Sequence, residues 1–252
     1  MSGHSKWHNI RLKKGKVDAQ RGALFTKLSK EIILAAKNGS SDPEANYRLK
    51  MAVEKARENN MPTDNIKRAI GRAGGAGERE IEEIRYEGYG PAGIAVIVDA
   101  ATDNRNRTAG ELRFLFSRNE GNLGETGSVG WMFAARGVIE VDPGALSEDA
   151  LTEKALVEGV IDVRFGSATS SGQAAEIVTE PQSLMAVKEA LEAEGLRVRT
   201  AQLAMEPTQT ARPGGTDAEK VLNFLDALEE HEDVQRVYSN ADFDDAQLEA
   251  LA

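Results

Sequence analysis

The chain contains no cysteine, which removes disulfides, thiolate metal sites and cysteine nucleophiles together. Its 3 histidines, His4, His8 and His231, are too few for a His-rich metal centre. Apolar runs are short: Ile94 to Val98 falls far below the length that spans a bilayer. The opening Met1-Ser2-Gly3-His4-Ser5-Lys6-Trp7 lacks the apolar stretch of a signal peptide, so a soluble, cytoplasmic protein with no membrane partner is expected. An overall positive charge is also missing. Lys and Arg number 31 against 41 Asp and Glu, a net of −10, which argues against a protein that coats nucleic acid along its whole surface. The length of 252 residues suits one large domain or two to three small ones.

What is present is unevenly distributed. Residues 1–77 carry 16 basic and 7 acidic side chains, a net of +9, whereas residues 78–252 carry 15 and 34, a net of −19. Positions 1–30 hold 8 basic residues and a single acid, Asp18. Such asymmetry is the footprint of a chain that touches a polyanion at one end. The bland reading is attraction between the two halves, or solubility.

Apolar periodicity divides the chain further. Residues 1–17 are polar and basic with no apolar period, which predicts an extended arm. Leu24, Leu28, Ile32 and Ala35/Ala36 predict a helix from Asp18 to Lys37. A second helix is predicted with Asp42 as cap, Pro43 at its first position, and Leu49, Val53 and Ala56 inward. Thr63 starts a third through Ile66 and Ile70, and the glycines from Gly71 to Gly77 make a joint. Strand alternation then appears at Ile84 and Tyr86, and Ile94–Val98 reads as a strand covered on both faces. A helix over 104–119, capped by Thr102 or Asp103, and a strand over Ser128 to Ala134 follow. Residues 137–205 read strand–helix–strand–strand–helix–strand, the ferredoxin-like order. The closing helix and strand are too little to fold alone. The expected fold class is α+β with three domains: a helical domain at 1–77, a discontinuous α/β domain at 78–135 plus 208–252, and a βαββαβ domain inserted at 136–206. Both α/β domains are expected to be ferredoxin-like.

Chemistry concentrates at the start. Lys6, Arg11, Lys13, Lys14, Lys16 and Arg21 cluster around Trp7, with Lys27 and Lys30 following on the first helix. Ammonium and guanidinium groups neutralise phosphates, and an indole stacks on an unpaired base. Trp7 packed against the helices is the competing reading. Arg105 and Arg107, in the first turn of a helix, form a second candidate, an anion site that uses free amides and two guanidinium groups. Ion pairs to acids such as Glu87 or Glu125 are the alternative there. The glycines from Gly121 to Gly127 lead from helix into strand, the reverse of a dinucleotide fingerprint. Gly15-Lys16 lacks the rest of a phosphate-binding loop. Asp99, Asp103, Glu111, Asp242, Asp244 and Asp245 show no spacing of a catalytic pair or metal site. No catalytic residue, metal or cofactor is expected.

Several stretches carry a family likeness. Gly3-His4-Ser5-Lys6-Trp7, Phe25-Thr26-Lys27-Leu28, Asn59-Asn60-Met61-Pro62, Tyr86-Glu87-Gly88-Tyr89-Gly90-Pro91, Thr102 to Thr108, Gly121 to Ser128 and Val237-Tyr238-Ser239-Asn240-Ala241-Asp242 resemble the YebC/PmpR family. The match is loosest over 136–206, and His8 stands where Ala is commoner. The resemblance implies three domains and no established enzymatic activity. It also implies a DNA-binding transcriptional regulator, or a ribosome-associated translation factor that relieves stalling. With the charge pattern it gives the leading expectation, a non-enzymatic nucleic-acid-binding regulator of gene expression. Ribosomal RNA is slightly favoured over duplex DNA, and the acidic domains are left to contact the ribosome or another protein. Two rivals stand beside it: a metal-dependent phosphodiester hydrolase built on Asp99 and Asp103, and a protein–protein adaptor.

Overall fold

The computed structural model describes residues 19–73, 80–165, 174–244 and 247. The fold is α+β, with seven α-helices and two four-stranded antiparallel sheets among the described residues. It divides into two compact units. The first comprises the described residues up to Gly130 together with Gly214–Ser239, and the second runs from Trp131 to Pro213 and resumes at Asn240.

The first unit opens with three helices, α1 (Ala19–Lys37), α2 (Tyr47–Glu58) and α3 (Thr63–Arg72). Their apolar stripes, including Leu28, Ile32, Leu49, Val53, Ile66 and Ala69, share one core with Ile81 and Ala101. The second helix begins later than the sequence suggests. Asp42 is used in a turn, where its carboxylate accepts the Glu44 amide at 3.0 Å. Asn46 is the cap instead: its Oδ1 accepts the Leu49 amide at 3.1 Å, and its Nδ2 donates to the carbonyls of Ala35 and Ser40 at 2.8 and 2.7 Å. One side chain therefore closes the end of α1 onto the start of α2.

The first sheet holds β1 (Glu82–Tyr89), β2 (Ala95–Thr102), β3 (Asn122–Leu123) and β8 (Val234–Ser239) in the order β3-β1-β2-β8. Val98 faces Tyr86 on one side and Val237 on the other, so β2 is central and apart from Asp99 is buried throughout. Because β8 pairs with β2, segments from both ends of the chain build this one sheet. Helices α4 (Arg105–Arg118) and α7 (Thr216–Glu230) supply Leu112, Phe116, Phe224 and Leu225 to its core, with Phe116 edge-on to Phe224 at 4.9 Å. This contact explains two glycines of the Tyr86–Pro91 stretch. A Cβ on Gly88 would lie 2.7 Å from the Phe116 ring, and one on Gly90 would lie 2.5 Å from the Phe224 ring. The α4 cap is Asn104, which accepts the Arg107 amide at 3.2 Å, rather than Thr102 or Asp103. Thr102 receives the Asn104 amide at 2.9 Å and so holds the cap in place.

The strand expected over Ser128–Ala134 does not form over 128–132, and only Phe133 and Ala134 are extended, as the start of a strand that runs on to Asp142; the reason is electrostatic. The amides of Gly127, Val129 and Gly130 turn inward to the Glu87 carboxylate at 3.0, 2.9 and 2.6 Å. Glu87 is 5% exposed. Burial pushes its carboxyl up, but these three amides outweigh it and hold the group below the usual carboxylate range. The backbone of 127–130 thus serves as a carboxylate clamp and is not free to enter a ladder.

The second unit comprises β4 (Phe133–Asp142), α5 (Glu148–Lys154), β5 (Val160–Phe165), β6 (Ala175–Thr179), α6 (Leu184–Ala193) and β7 (Arg197–Pro207). Its sheet order, β5-β6-β4-β7, is that of the ferredoxin-like split βαβ arrangement. Ile139 faces Ile177 and Val141 faces Ala175 across β4 and β6, and Leu151, Val187 and Leu191 close the core from the helices. Ser147 caps α5 by accepting the Ala150 amide at 3.2 Å. Among the described residues no helix is long and apolar enough to cross a membrane.

Candidate nucleic-acid interface

The sequence of α3, Thr-Asp-Asn-Ile-Lys-Arg-Ala-Ile-Gly-Arg, is strongly two-sided. Ile66 and Ala69 are buried in the helical core, while Lys67, Arg68 and Arg72 are exposed. Asn65, Arg68 and Arg72 stand at the i, i+3, i+7 spacing of a single helical stripe. That stripe forms one wall of a groove of about 250 Å³ against α1. Ile33, Met61 and Ala69 make its floor with the half-buried ring of Phe25. Thr26, Ser29 and Asn65 line its sides, and Arg68 and Arg72 reach its rim. Arg68 Nη1 lies 3.4 Å from Asn65 Oδ1, a contact between two residues of the groove lining. A slot of mixed lining, with an aromatic ring and apolar side chains beside polar ones and cations at the edge, suits a base next to its phosphate.

Other helical cations are turned inward to a structural purpose. Lys30 donates to the Asp233 carboxylate and, at 3.1 Å, to the Glu232 carbonyl. Lys27 donates to the Glu229 carbonyl. Arg48 pairs with Glu31 at 3.2 Å and with Glu83, and Lys37 pairs with Glu80. Lys27 and Lys30, grouped with the phosphate-binding candidates on charge alone, therefore join α1 to the last turn of α7 and to the segment between α7 and β8. The physical reason is the fully buried Asp233, whose charge requires partners.

Asp233 also settles Arg107. Arg107 Nη2 contacts both its oxygens at 3.1 and 2.8 Å, Thr108 Oγ1 donates to it at 2.6 Å, and Asp103 lies 3.3 Å from the same guanidinium. Burial alone would raise the Asp233 carboxyl. The hydrogen bonds from Lys30, Thr108 and Arg107 outweigh it and bring the group down to about 2. Arg107 is thus an ion-pair residue, with Asp233 and Asp103 as partners rather than Glu87 or Glu125. Arg105 differs: its side chain is 66% exposed and lies 3.8 Å from Glu82.

Of the carboxylates considered for metal chemistry, Asp99, Asp103, Glu111 and Asp242 are similarly occupied, and Asp245 lies outside the described residues. Both oxygens of Asp99 accept from Arg85, at 2.7 and 2.9 Å, and Asp242 accepts from Arg212 at 3.1 Å. Glu111, His231 and Asp233 bring donor atoms within 4.8 Å of one another. Lys30 and Arg107 bring positive charge to that spot, and the Asp233 amide occupies His231 Nδ1 at 3.1 Å while Glu111 lies 3.0 Å from Nε2. A divalent cation does not fit there.

Of the sequence candidates, Lys6, Trp7, Arg11, Lys13, Lys14 and Lys16 lie outside the described residues, and for Arg21 only the backbone in α1 is described. The α1–α3 groove was not singled out from sequence. Its signal was available as the 65/68/72 stripe, hidden among many cations of equal charge.

Family models decide where this arrangement belongs. The TACO1/YebC protein N-terminal domain matches residues 5–76, and the TACO1/YebC second and third domain matches residues 81–241. The chain belongs to the TACO1/YebC family. A relative from Natranaerobius thermophilus is 50% identical over 252 residues, covering 99% of each chain. One from Rubrobacter xylanophilus is 48% identical over 254 residues and covers 100% of both. Each is named a probable transcriptional regulatory protein. The crystal structure of a conserved hypothetical protein from Aquifex aeolicus is similar as well, at 45% identity and a TM-score of 0.80, covering 91% of this chain and 93% of that one. The groove lies within the span of the family's N-terminal domain and the Glu87 cluster within that of its second and third, while the Asp233 cluster draws Lys30 from the first span and its other members from the second.

Proposed function

We propose that this chain is a non-enzymatic regulator of gene expression that binds nucleic acid through its basic helical lobe. Residues 1–77 grip phosphates, while the acidic regions 78–135 plus 208–252 and 136–206 position the protein or contact a protein partner. One observation carries the reading: the groove between α1 and α3, with Phe25 in its lining, is rimmed by Arg68 and Arg72 and belongs to the one strongly basic region of an acidic chain. The leader cations Lys6, Arg11, Lys13, Lys14, Lys16 and Arg21 extend the same charge. The names of the relatives support a regulatory role, and a translational one is what the family resemblance of the sequence implies.

RNA is the favoured partner. A net of −19 outside the basic region repels a long duplex, and a narrow slot suits an irregular RNA surface. The test is fluorescence anisotropy of the full chain with a ribosomal RNA fragment and a duplex DNA of equal length, across a salt series. Contact with about five phosphates gives log affinity falling with log salt at a slope near −4. Exchanging both Arg68 and Arg72 for Ala flattens that slope by about 1.5 to 2. Affinity that ignores salt, or is unchanged in that double variant, refutes the reading.

A further inference from the structure

The α1–α3 groove has features that phosphate binding alone does not require. A basic patch that only grips backbone needs cations on an open surface. Here an aromatic ring and an apolar floor lie below the cations, and three small polar side chains line the walls. Phe25 is half-buried, so one part of its ring packs on the helical core and the rest faces the slot. At about 250 Å³ the space is far too small for a base pair within a duplex and large enough for one heterocycle.

The spacing of the rim adds a second constraint. Arg68 and Arg72 are four residues apart on one helix, so their backbone anchors are separated by about 6 Å along the axis. That spacing matches successive phosphates of one strand whether its bases are stacked or not, so it sets a backbone along the rim, and it is the slot with the Phe25 ring that calls for an unpaired base. Thr26 and Ser29 present hydroxyls and Asn65 an amide to the edge of whatever lies between. A flat apolar body, an edge that hydrogen-bonds and a flanking anion at each side are the properties of a nucleotide in a single strand.

We infer that the groove between α1 and α3 binds one unstacked base of a single-stranded nucleic acid, with its flanking phosphates on Arg68 and Arg72 and its ring against Phe25. This inference rests on the nucleic-acid reading above and narrows it to unpaired segments, in RNA or in melted DNA alike. Asn65 acts twice, contacting Arg68 and offering its amide to the base edge.

The test uses the full chain and four 12-nucleotide probes: single-stranded RNA, single-stranded DNA, the DNA duplex, and a DNA single strand with abasic sites that keeps every phosphate. Expected are single strands bound at least tenfold tighter than duplex, and the abasic strand bound about tenfold more weakly than its parent, the loss of one base–aromatic stack. Comparing the RNA and DNA single strands identifies the source. Ser29→Phe, which fills the slot, and Phe25→Leu, which keeps apolar packing and removes the π-face, each reduce single-strand affinity about tenfold without changing the salt slope. If Ser29→Phe fails to fold, Phe25→Leu and the abasic probe carry the test. Equal affinity for intact and abasic strands overturns the base site and leaves phosphate binding standing. No salt-dependent binding to any of the four probes removes the nucleic-acid reading and the base site with it.

Discussion

Asp233→Ala is the sharpest test of the energetic structure. The Asp233 side chain has no solvent exposure, and it binds Lys30 of α1, Arg107 and Thr108 of α4, and so holds two helices against the start of β8. Breaking a buried ion pair by removing one partner costs about 3–5 kcal/mol. Here the orphaned groups have alternatives. Thr108 Oγ1 also reaches the Asn104 carbonyl at 3.2 Å, Arg107 keeps Asp103 at 3.3 Å, and Lys30 keeps the Glu232 carbonyl at 3.1 Å. The cost therefore falls toward the lower end of that range. A second route agrees: a carboxyl lowered from 3.8 to about 2 on folding corresponds to roughly 2.5 kcal/mol. A loss of about 2–4 kcal/mol lowers the melting temperature of a unit this size by about 5–12 °C.

The pH dependence has a definite sign. Because the folded-state value lies below the unfolded one, the Asp233 contribution is present above pH 3.8 and fades as pH falls toward about 2. Calorimetry at pH 7, 4 and 2.5 should therefore show a full gap between wild type and Asp233→Ala at the first, a nearly full gap at the second, and a much smaller one at the third. Hydrogen exchange localises the effect, with faster exchange in α1, α4 and β8 and none in the β4–β7 sheet. A variant that melts within 1 °C of wild type, or a gap that is the same at every pH, would show that Asp233 is not the electrostatic centre of the first unit.

Three further outcomes follow from the same contacts. Lys30→Met should lower stability by about 1–3 kcal/mol and leave the salt slope of nucleic-acid binding untouched, which separates it from Arg68; a flatter slope would return Lys30 to the phosphate-contacting set. Glu87→Gln leaves a single acceptor oxygen for three amides and points an NH₂ at the others. It should cost about 1–3 kcal/mol, with faster amide exchange over 124–130 as the readout. Asn46→Ala removes the α2 cap, one bond to the end of α1 and one to the loop that follows it, for a loss of about 1–2 kcal/mol measurable by urea unfolding followed by helical circular dichroism.

What could be read from the residues and what could not divide along physical lines. Alternation and helical period are local, and they placed the α+β class, the βαββαβ order from β4 to β7, and β2 as a strand covered on both faces. Element ends depend on which polar side chain wins a given backbone amide. Asp42 and Asn46 are both good caps by type, and only the fold shows that Asn46 also reaches the carbonyls of Ala35 and Ser40. The glycines from Gly121 to Gly127 read as a loop, but the strand expected from Ser128 onward fails at its start because of Glu87, some 40 residues earlier.

Charge is the least local signal of all, and the cations of the helical region show why. Lys27, Lys30, Arg68 and Arg72 contribute equally to the basic excess of residues 1–77, yet their roles depend on a residue that the charge count placed in the acidic part. A buried aspartate must be neutralised by whatever cation the fold brings near it. Asp233 stands at the start of β8, which pairs with the central strand β2, and α1 packs its core against Ala101 of that strand. Cations on the side of α1 that faces this sheet are thereby drawn into structure. Arg68 and Arg72 on the outer stripe of α3 stay exposed at the groove, with one acid, Asp64, in their own helix. Topology, by choosing which cations meet internal carboxylates, thus turns a diffuse positive region into one rimmed groove, and single substitutions at Lys30 and Arg68 should report that division as a loss of stability at one site and a loss of binding at the other.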